Sequence, residues 1–205
     1  GELTTKDYSL VGIPNPRPTL IHVHAGAEEL GRVYRPDVAI NASSEPFVEA
    51  LASIQLTDGT RLEKWCGDAR AAFDADLVPE ATPGNVRLED VMVWLRENLE
   101  DDAIICNGAG NYSGWVHRYY TFKDYRTQLA PTSGSMGYGV PAAVAAKAVA
   151  PDRTVVSIAG DGCFMMTCQE MATAVQHGLG VIFIVANNGM YGTIRMHQER
   201  KYPGR

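Results

Sequence analysis

Hydrophobic positions in the second half of the chain come in short continuous runs separated by stretches of helical spacing. Ala103–Cys106, Thr154–Ala159 and Val181–Ala186 are apolar apart from Thr154 and Ser157, without polar alternation. Such runs predict parallel strands covered on both faces. Between them, Met136–Ala150 reads as an alanine-rich helix with Pro141 in its first turns, where proline is tolerated. Thr167–His177 reads as a second helix, closed by Gly178. Upstream, Leu88, Val91, Leu95 and Leu99 recur at helical spacing and predict a helix over Val86–Leu99 with Asn85 as its cap. Asn107–Gly114 reads as a glycine-rich loop. Strands that alternate with helices give an α/β fold: a parallel sheet with helices on both faces.

The opening third carries the same signals in weaker form. Thr19–Val23 and Val38–Asn41 predict short strands, Ala27–Gly31 one helical turn, and Glu45–Ile54 a helix with Phe47, Leu51 and Ile54 on one face. This segment looks like the tail of an α/β domain. Thr57-Asp58-Gly59 breaks the chain, Arg61–Asp74 reads as a surface helix, and Pro79–Gly84 has turn chemistry. The expected organisation is a first domain piece over residues 1–56, a linker over 57–84 and a second domain over 85–205.

Composition narrows the function classes. Of 205 residues, 45% are apolar and 20% charged, enough to bury a core. A net charge of -6 argues against nucleic acid as the partner. No apolar run approaches a membrane span, and the start has no signal-peptide pattern, so no membrane partner is expected. Cys66, Cys106, Cys163 and Cys168 match neither a zinc site nor a disulfide framework. Free thiols suit a reducing cytosol, and a cytoplasmic location is expected.

Candidate chemistry concentrates at two strand ends. Gly160-Asp161-Gly162 follows one apolar run, and Asn187-Asn188 follows the next. Parallel strands joined by one helix often lie side by side, about 4.8 Å apart, and their carboxyl ends open onto the edge where such folds bind ligands. Asp161 and Asn188 can then converge on one divalent cation, with the Met190 carbonyl as a third ligand. Magnesium takes few protein ligands and completes its shell with phosphate and water oxygens. Gly160 and Gly162 let backbone N–H groups approach a phosphate. Either motif alone is an ordinary tight turn; together, each closing a buried strand, they point to a cofactor site.

These motifs resemble the signature of thiamine diphosphate enzymes: Gly160-Asp161-Gly162, the 24 residues Cys163–Ala186, then Asn187-Asn188. Gly134-Ser135-Met136-Gly137-Tyr138-Gly139-Val140-Pro141-Ala142-Ala143, Pro151-Asp152-Arg153, Gly160–Met166 and Glu170–Thr173 resemble the acetolactate synthase and pyruvate oxidase group, to which benzoylformate decarboxylase is related. Around Glu29-Leu30-Gly31-Arg32 the chain is similar to the end of that group's Rossmann-like central domain, and from Asn85 onward to its pyrophosphate-binding domain. The resemblance implies that Asp161, Asn188 and the Met190 carbonyl ligate Mg2+, and that Gly162 and Cys163 face the diphosphate through backbone N–H groups. It places Gly110, Asn111 and Tyr112 in another diphosphate-contacting loop. By the same resemblance, Gly134 would accept the aminopyrimidine amino group through its carbonyl, and Met136 would support the bent cofactor, against the alternative of a core methionine. Gly160, Ser135, Tyr191 and Gly192 complete the implied cofactor-binding set.

The resemblance implies a thiamine diphosphate- and magnesium-dependent decarboxylation or carboligation of a 2-oxoacid, most like acetolactate synthase. It also implies a homodimer or homotetramer with the site between subunits. The activating glutamate of the family belongs to an N-terminal domain; Glu28, Glu29, Glu45, Glu80 and Glu170 are not in its motif. The chain is therefore expected to be a piece of a longer protein, truncated at both ends. Where FAD-binding relatives carry carboxylates after two strands, this chain has His24-Ala25-Gly26 and Asn41-Ala42, which argues against FAD. Other readings are a benzoylformate decarboxylase-like or benzaldehyde lyase-like enzyme, a degenerate member kept for assembly, and a non-catalytic nucleotide- or metal-binding module. For the last, no Gly-x-Gly-x-x-Gly fingerprint is evident after an early strand.

Overall fold

The computed structural model describes residues 11–55 and 59–205; the predicted break at Thr57-Asp58 lies outside them. The chain divides into two compact units, residues 1–66 and 67–205. The division falls inside a helix that the sequence placed within a linker.

In the first unit, β1 (Ile21–His24) and β2 (Val38–Asn41) pair in parallel, with His24 opposite Asn41. A 3-10 turn at Ala27–Glu29 lies between them, and α1 (Ser44–Ala52) follows. The apolar face predicted for this helix is only partly covered: Phe47 is half-buried, whereas Leu51 and Ile54, the latter beyond the end of α1, are exposed, as are Ile21 and Val38 on the strands. Helix α2 (Thr60–Asp76) runs across the boundary between the units.

The second unit is built on a four-stranded parallel sheet with strand order β4-β3-β5-β6. Its strands are β3 (Ile104–Asn107), β4 (Gln128–Leu129), β5 (Val155–Gly160) and β6 (Ile182–Ala186). Side chains alternate across the sheet as strand geometry demands. Ile105, Val156 and Ile158 point to one face, where Met92 and Leu95 of α3 (Leu88–Asn98) and Val116 and Tyr119 of α4 (Ser113–Tyr119) cover them. Each such fully buried aliphatic side chain contributes about 1.5–3 kcal/mol. Ile104, Cys106 and Val155 point to the other face, against Ala143 and Ala146 of α5 (Gly139–Val149). Small alanine side chains let α5 lie close on the sheet. The expectation of a sheet covered on both faces holds for β3 and β5, which are buried throughout except at Gly160; β6 is only half-covered, with Ile182 and Val185 exposed.

The short elements α6 (Asp161–Met165) and α7 (Glu170–Gln176) fill the connection from β5 to β6, and α8 (Gly192–Lys201) follows the last strand. Three sequence expectations are corrected. Asn85 does not cap α3; Arg87 occupies that position, and no side chain bonds the helix start. The loop expected over Asn107–Gly114 ends earlier, because α4 starts at Ser113, where the Ser113 hydroxyl and N–H both donate to the Gly110 carbonyl. The helix expected from Met136 starts only at Gly139, after Gly134 and Gly137 have turned the chain through positive φ.

Candidate functional site

Strands β5 and β6 are parallel neighbours, and Gly160 is the register partner of Ala186. Asp161 therefore leaves the sheet beside Asn187, with Asn188 one residue further on. Asp161 opens α6, whose first N–H groups have no intrahelical acceptor. After β6 the chain folds into two consecutive side-chain-to-backbone turns. Asn187 Oδ1 accepts from the Gly189 N–H at 3.0 Å, and Asn188 Oδ1 from the Met190 N–H at 3.1 Å. Gly189 sits at φ +63°, a region that glycine enters without steric cost. The Met190 carbonyl accepts from the Gly192 N–H at 2.9 Å.

This donor set suits magnesium. Each of the two neutral oxygens already accepts one N–H and keeps a second lone pair. Among the described residues, no hydrogen bond or ion pair engages the Asp161 carboxylate. The same residues hold no cluster of three or more His, Cys, Asp or Glu fit for a metal. One carboxylate and two carbonyl-type oxygens cannot neutralise a divalent ion, so the set fits a cation that brings phosphate oxygens with it.

Glycines bring the loops together around Tyr112. A Cβ on Gly160 would stand 2.9 Å from Tyr112 Cδ1, and one on Gly110 would stand 2.7 Å from Tyr112 Cε1. The ring is buried, and its hydroxyl donates to Cys163 Sγ at 3.2 Å. Burial, the largest cause, raises the Tyr112 pKa, and the thiol contact adds to it. The Tyr112 side chain thus faces inward, and only its backbone remains for a diphosphate. The Cys163 thiol is turned inward as well and accepts from the Gly137 N–H at 3.0 Å. Asn111 is exposed beside it, and its amide oxygen accepts from the Thr193 hydroxyl of α8 at 3.0 Å.

The second group of candidates lies on the loop before α5. Gly134 sits at φ +71°, and the Ser135 and Ser133 hydroxyls share a hydrogen bond of 2.8 Å. Met136 is 43% exposed and precedes the helix, which is not how a core methionine sits. Met136 and Tyr191 converge on Gly162: a Cβ there would lie 2.9 Å from Tyr191 Cε1 and 3.8 Å from Met136 Cε. Gly192 closes on Asn188, whose Nδ2 would be 3.0 Å from a Cβ at residue 192. Candidates from four loops thus belong to one edge of the sheet.

One supporting residue, Glu89, had no readable signal in the sequence. Glu89 is fully buried at the start of α3 and accepts from the Thr82 N–H and hydroxyl (both 2.8 Å), Arg87 Nε (3.1 Å) and Trp115 Nε1 (3.1 Å). Burial opposes its charge, but the donated hydrogen bonds outweigh burial and lower its pKa to about 2. Glu89 thereby ties α3 to α4, the helix that follows Asn111 and Tyr112. An acidic residue in a first helical turn reads as a dipole partner, which hid this role. Cys106, by contrast, is an inert core thiol, pushed up to about 12 by burial.

Known proteins share sequence and fold with this chain. The family described as "Thiamine pyrophosphate enzyme, C-terminal TPP binding domain" matches residues 108–205. The chain is 32% identical over 200 residues to an acetolactate synthase large subunit of Corynebacterium glutamicum, covering 93% of this chain and 31% of that protein. It is 31% identical over 191 residues to the acetolactate synthase isozyme 1 large subunit of Escherichia coli, covering 91% and 33%. A solved thiamine diphosphate-dependent 4-hydroxybenzoylformate decarboxylase of Rhodococcus jostii RHA1 superposes with a TM-score of 0.68 at 25% identity, covering 91% of this chain and 34% of that one. The chain spans about a third of the length of these relatives. Residues 108–205 thus match the C-terminal cofactor-binding domain of thiamine pyrophosphate enzymes.

Proposed function

We propose that the protein is a thiamine diphosphate- and magnesium-dependent enzyme acting on a 2-oxoacid, with acetolactate synthase-type carboligation as its reaction. The observation that carries this is the Gly160–Ala186 register, which sets Asp161 beside Asn187-Asn188 at one sheet edge. Asp161, the Asn188 amide oxygen and the Met190 carbonyl hold Mg2+ against the diphosphate. Backbone N–H groups of Gly162 and Cys163 would face the diphosphate, and the loop of Gly110, Asn111 and Tyr112 would close the cradle. Gly134 receives the aminopyrimidine, Met136 supports the bend of the cofactor, and Ser135, Tyr191 and Gly192 line the surroundings. When bound, thiamine diphosphate supplies a carbon nucleophile and stores the electron pair released on loss of carbon dioxide. This chain's residues anchor and shape the cofactor; its activating carboxylate is expected from another part of the protein.

The relatives named acetolactate synthase support pyruvate as the first substrate to test. The likeness to a 4-hydroxybenzoylformate decarboxylase supports a second reading, decarboxylation of an aromatic 2-oxoacid on the same scaffold. Residues 1–56 would then be the end of a central domain, residues 57–84 a connection and residues 85–205 the pyrophosphate-binding domain. The site would lie between subunits of a cytoplasmic homodimer or homotetramer. No helix of the described residues is long and apolar enough to cross a membrane. FAD is not part of the proposal. At the ends of β1 and β2, the Asn41 amide donates to the carbonyls of His24 and Ala25, at 3.0 and 2.8 Å, where the adenosine ribose of FAD would call for carboxylates.

A screen of the full-length protein with pyruvate and benzoylformate, with thiamine diphosphate and Mg2+ present, tests the reading. Acetolactate formed from pyruvate supports it. Aldehyde formed only from the aromatic acid favours the second reading. No turnover of any 2-oxoacid, together with no cofactor binding, sinks both.

A further inference from the structure

Gly137 hydrogen-bonds the two halves of the candidate site to each other. Gly137 directly follows Gly134-Ser135-Met136, the half proposed for the pyrimidine. Its N–H donates to Cys163 Sγ at 3.0 Å, and its carbonyl accepts from Thr167 Oγ1 at 2.8 Å. Cys163 and Thr167 both belong to the segment that follows β5, the half proposed for the diphosphate and metal. Gly137 adopts φ +81°, and a Cβ there would lie 3.2 Å from both Met166 Cβ and Thr167 Cγ2. The residue is thus held at both of its backbone polar groups and packed closely against the same segment.

We infer that Thr167 is a positioning residue: with Cys163 it clamps Gly137 and sets the spacing between the pyrimidine half and the diphosphate half. The inference rests on the cofactor reading above. Thr167 touches neither half's proposed ligand groups; it acts through Gly137. Without its hydroxyl, the Gly137 carbonyl loses its partner and the Gly134–Met136 loop gains freedom that cofactor binding must remove. A ligand that spans both halves is then weakened, while one that occupies only the diphosphate half is not.

The test uses the full-length protein and calorimetry with two probes, each with Mg2+: thiamine diphosphate and inorganic pyrophosphate. Thr167→Val keeps the shape and removes the hydroxyl; Thr167→Ser restores it. The expected loss in thiamine diphosphate affinity for Thr167→Val is about five- to tenfold, the scale of one hydrogen bond. Thr167→Ser recovers it, and pyrophosphate affinity stays level in both variants. Thr167→Ala serves if Thr167→Val does not fold. Wild-type affinity for thiamine diphosphate in Thr167→Val, or equal weakening of both probes in step with a fall in Tm, overturns the inference. Absence of binding of either probe by the wild type overturns the cofactor reading itself, and the clamp with it.

Discussion

The backbone of Asn107 and the backbone of Gly139 meet where β3 ends and α5 begins, with no room for a methyl group. A Cβ on Gly139 would stand 2.9 Å from the Gly108 nitrogen and 3.0 Å from the Asn107 carbonyl carbon. Both neighbours are backbone, so the helix or the strand end must move to admit one. Gly139→Ala would gain at most about 1 kcal/mol of helix propensity, and less at the first helical position. Overpacking costs about 1–3 kcal/mol. The substitution is expected to lower the denaturant midpoint without changing the slope of the transition.

Tyr112 carries two separable contributions. Tyr112→Phe keeps the ring against Gly110 and Gly160 and removes the hydroxyl bond to Cys163; the expected cost is about 1 kcal/mol. Tyr112→Ala empties the space between the segments that follow β3 and β5 and is expected to cost about 3–5 kcal/mol. Chemical denaturation of both variants measures the two values, and a larger loss for Phe than for Ala would contradict the packing described.

Glu89 gives the fold a pH signature. Its carboxyl has a pKa of about 2 in the folded state against an ordinary 4.5. Between those values the unfolded chain binds more protons, so stability rises with pH there. The contribution of Glu89 is complete above about pH 4.5 and is lost as pH falls toward 2. Denaturant midpoints measured between pH 6 and pH 3 should fall for the wild type. The fall should be shallower for Glu89→Gln, which starts from a lower midpoint.

The parts of the fold visible in the sequence are those whose signal is local. The runs at Thr154–Ala159 and Val181–Ala186 announce themselves, and motifs that sit at strand ends inherit their placement from the strands. That is why Asp161 and Asn188 were legible. Helix α4 was not, because Gly108 and Gly110 signal a loop up to its first residue. β4 has two residues, α6 five, and neither length carries a period. Glu89, Thr167 and the inward turn of Tyr112 and Cys163 depend on what lies across the fold. No pattern along the chain encodes such partners.

The α8 contact offers a check on the same site from its far side. Asn111 Oδ1 and the Thr193 hydroxyl bond at 3.0 Å on the exposed rim. Exposed side-chain pairs of this kind are worth little to stability, within about 0.5 kcal/mol. Thr193→Val should leave Tm unchanged. Asn111→Ala, which also removes a proposed diphosphate neighbour, should weaken thiamine diphosphate binding in calorimetry.

The cation proposed at the sheet edge is central to the cofactor reading. Calorimetric titration of the full-length protein with thiamine diphosphate, with and without Mg2+, in wild type and Asp161→Ala, tests it most directly. Binding that requires Mg2+ in the wild type and is lost in Asp161→Ala is the predicted result. Equal binding by both proteins, or binding by the wild type that ignores Mg2+, would contradict it.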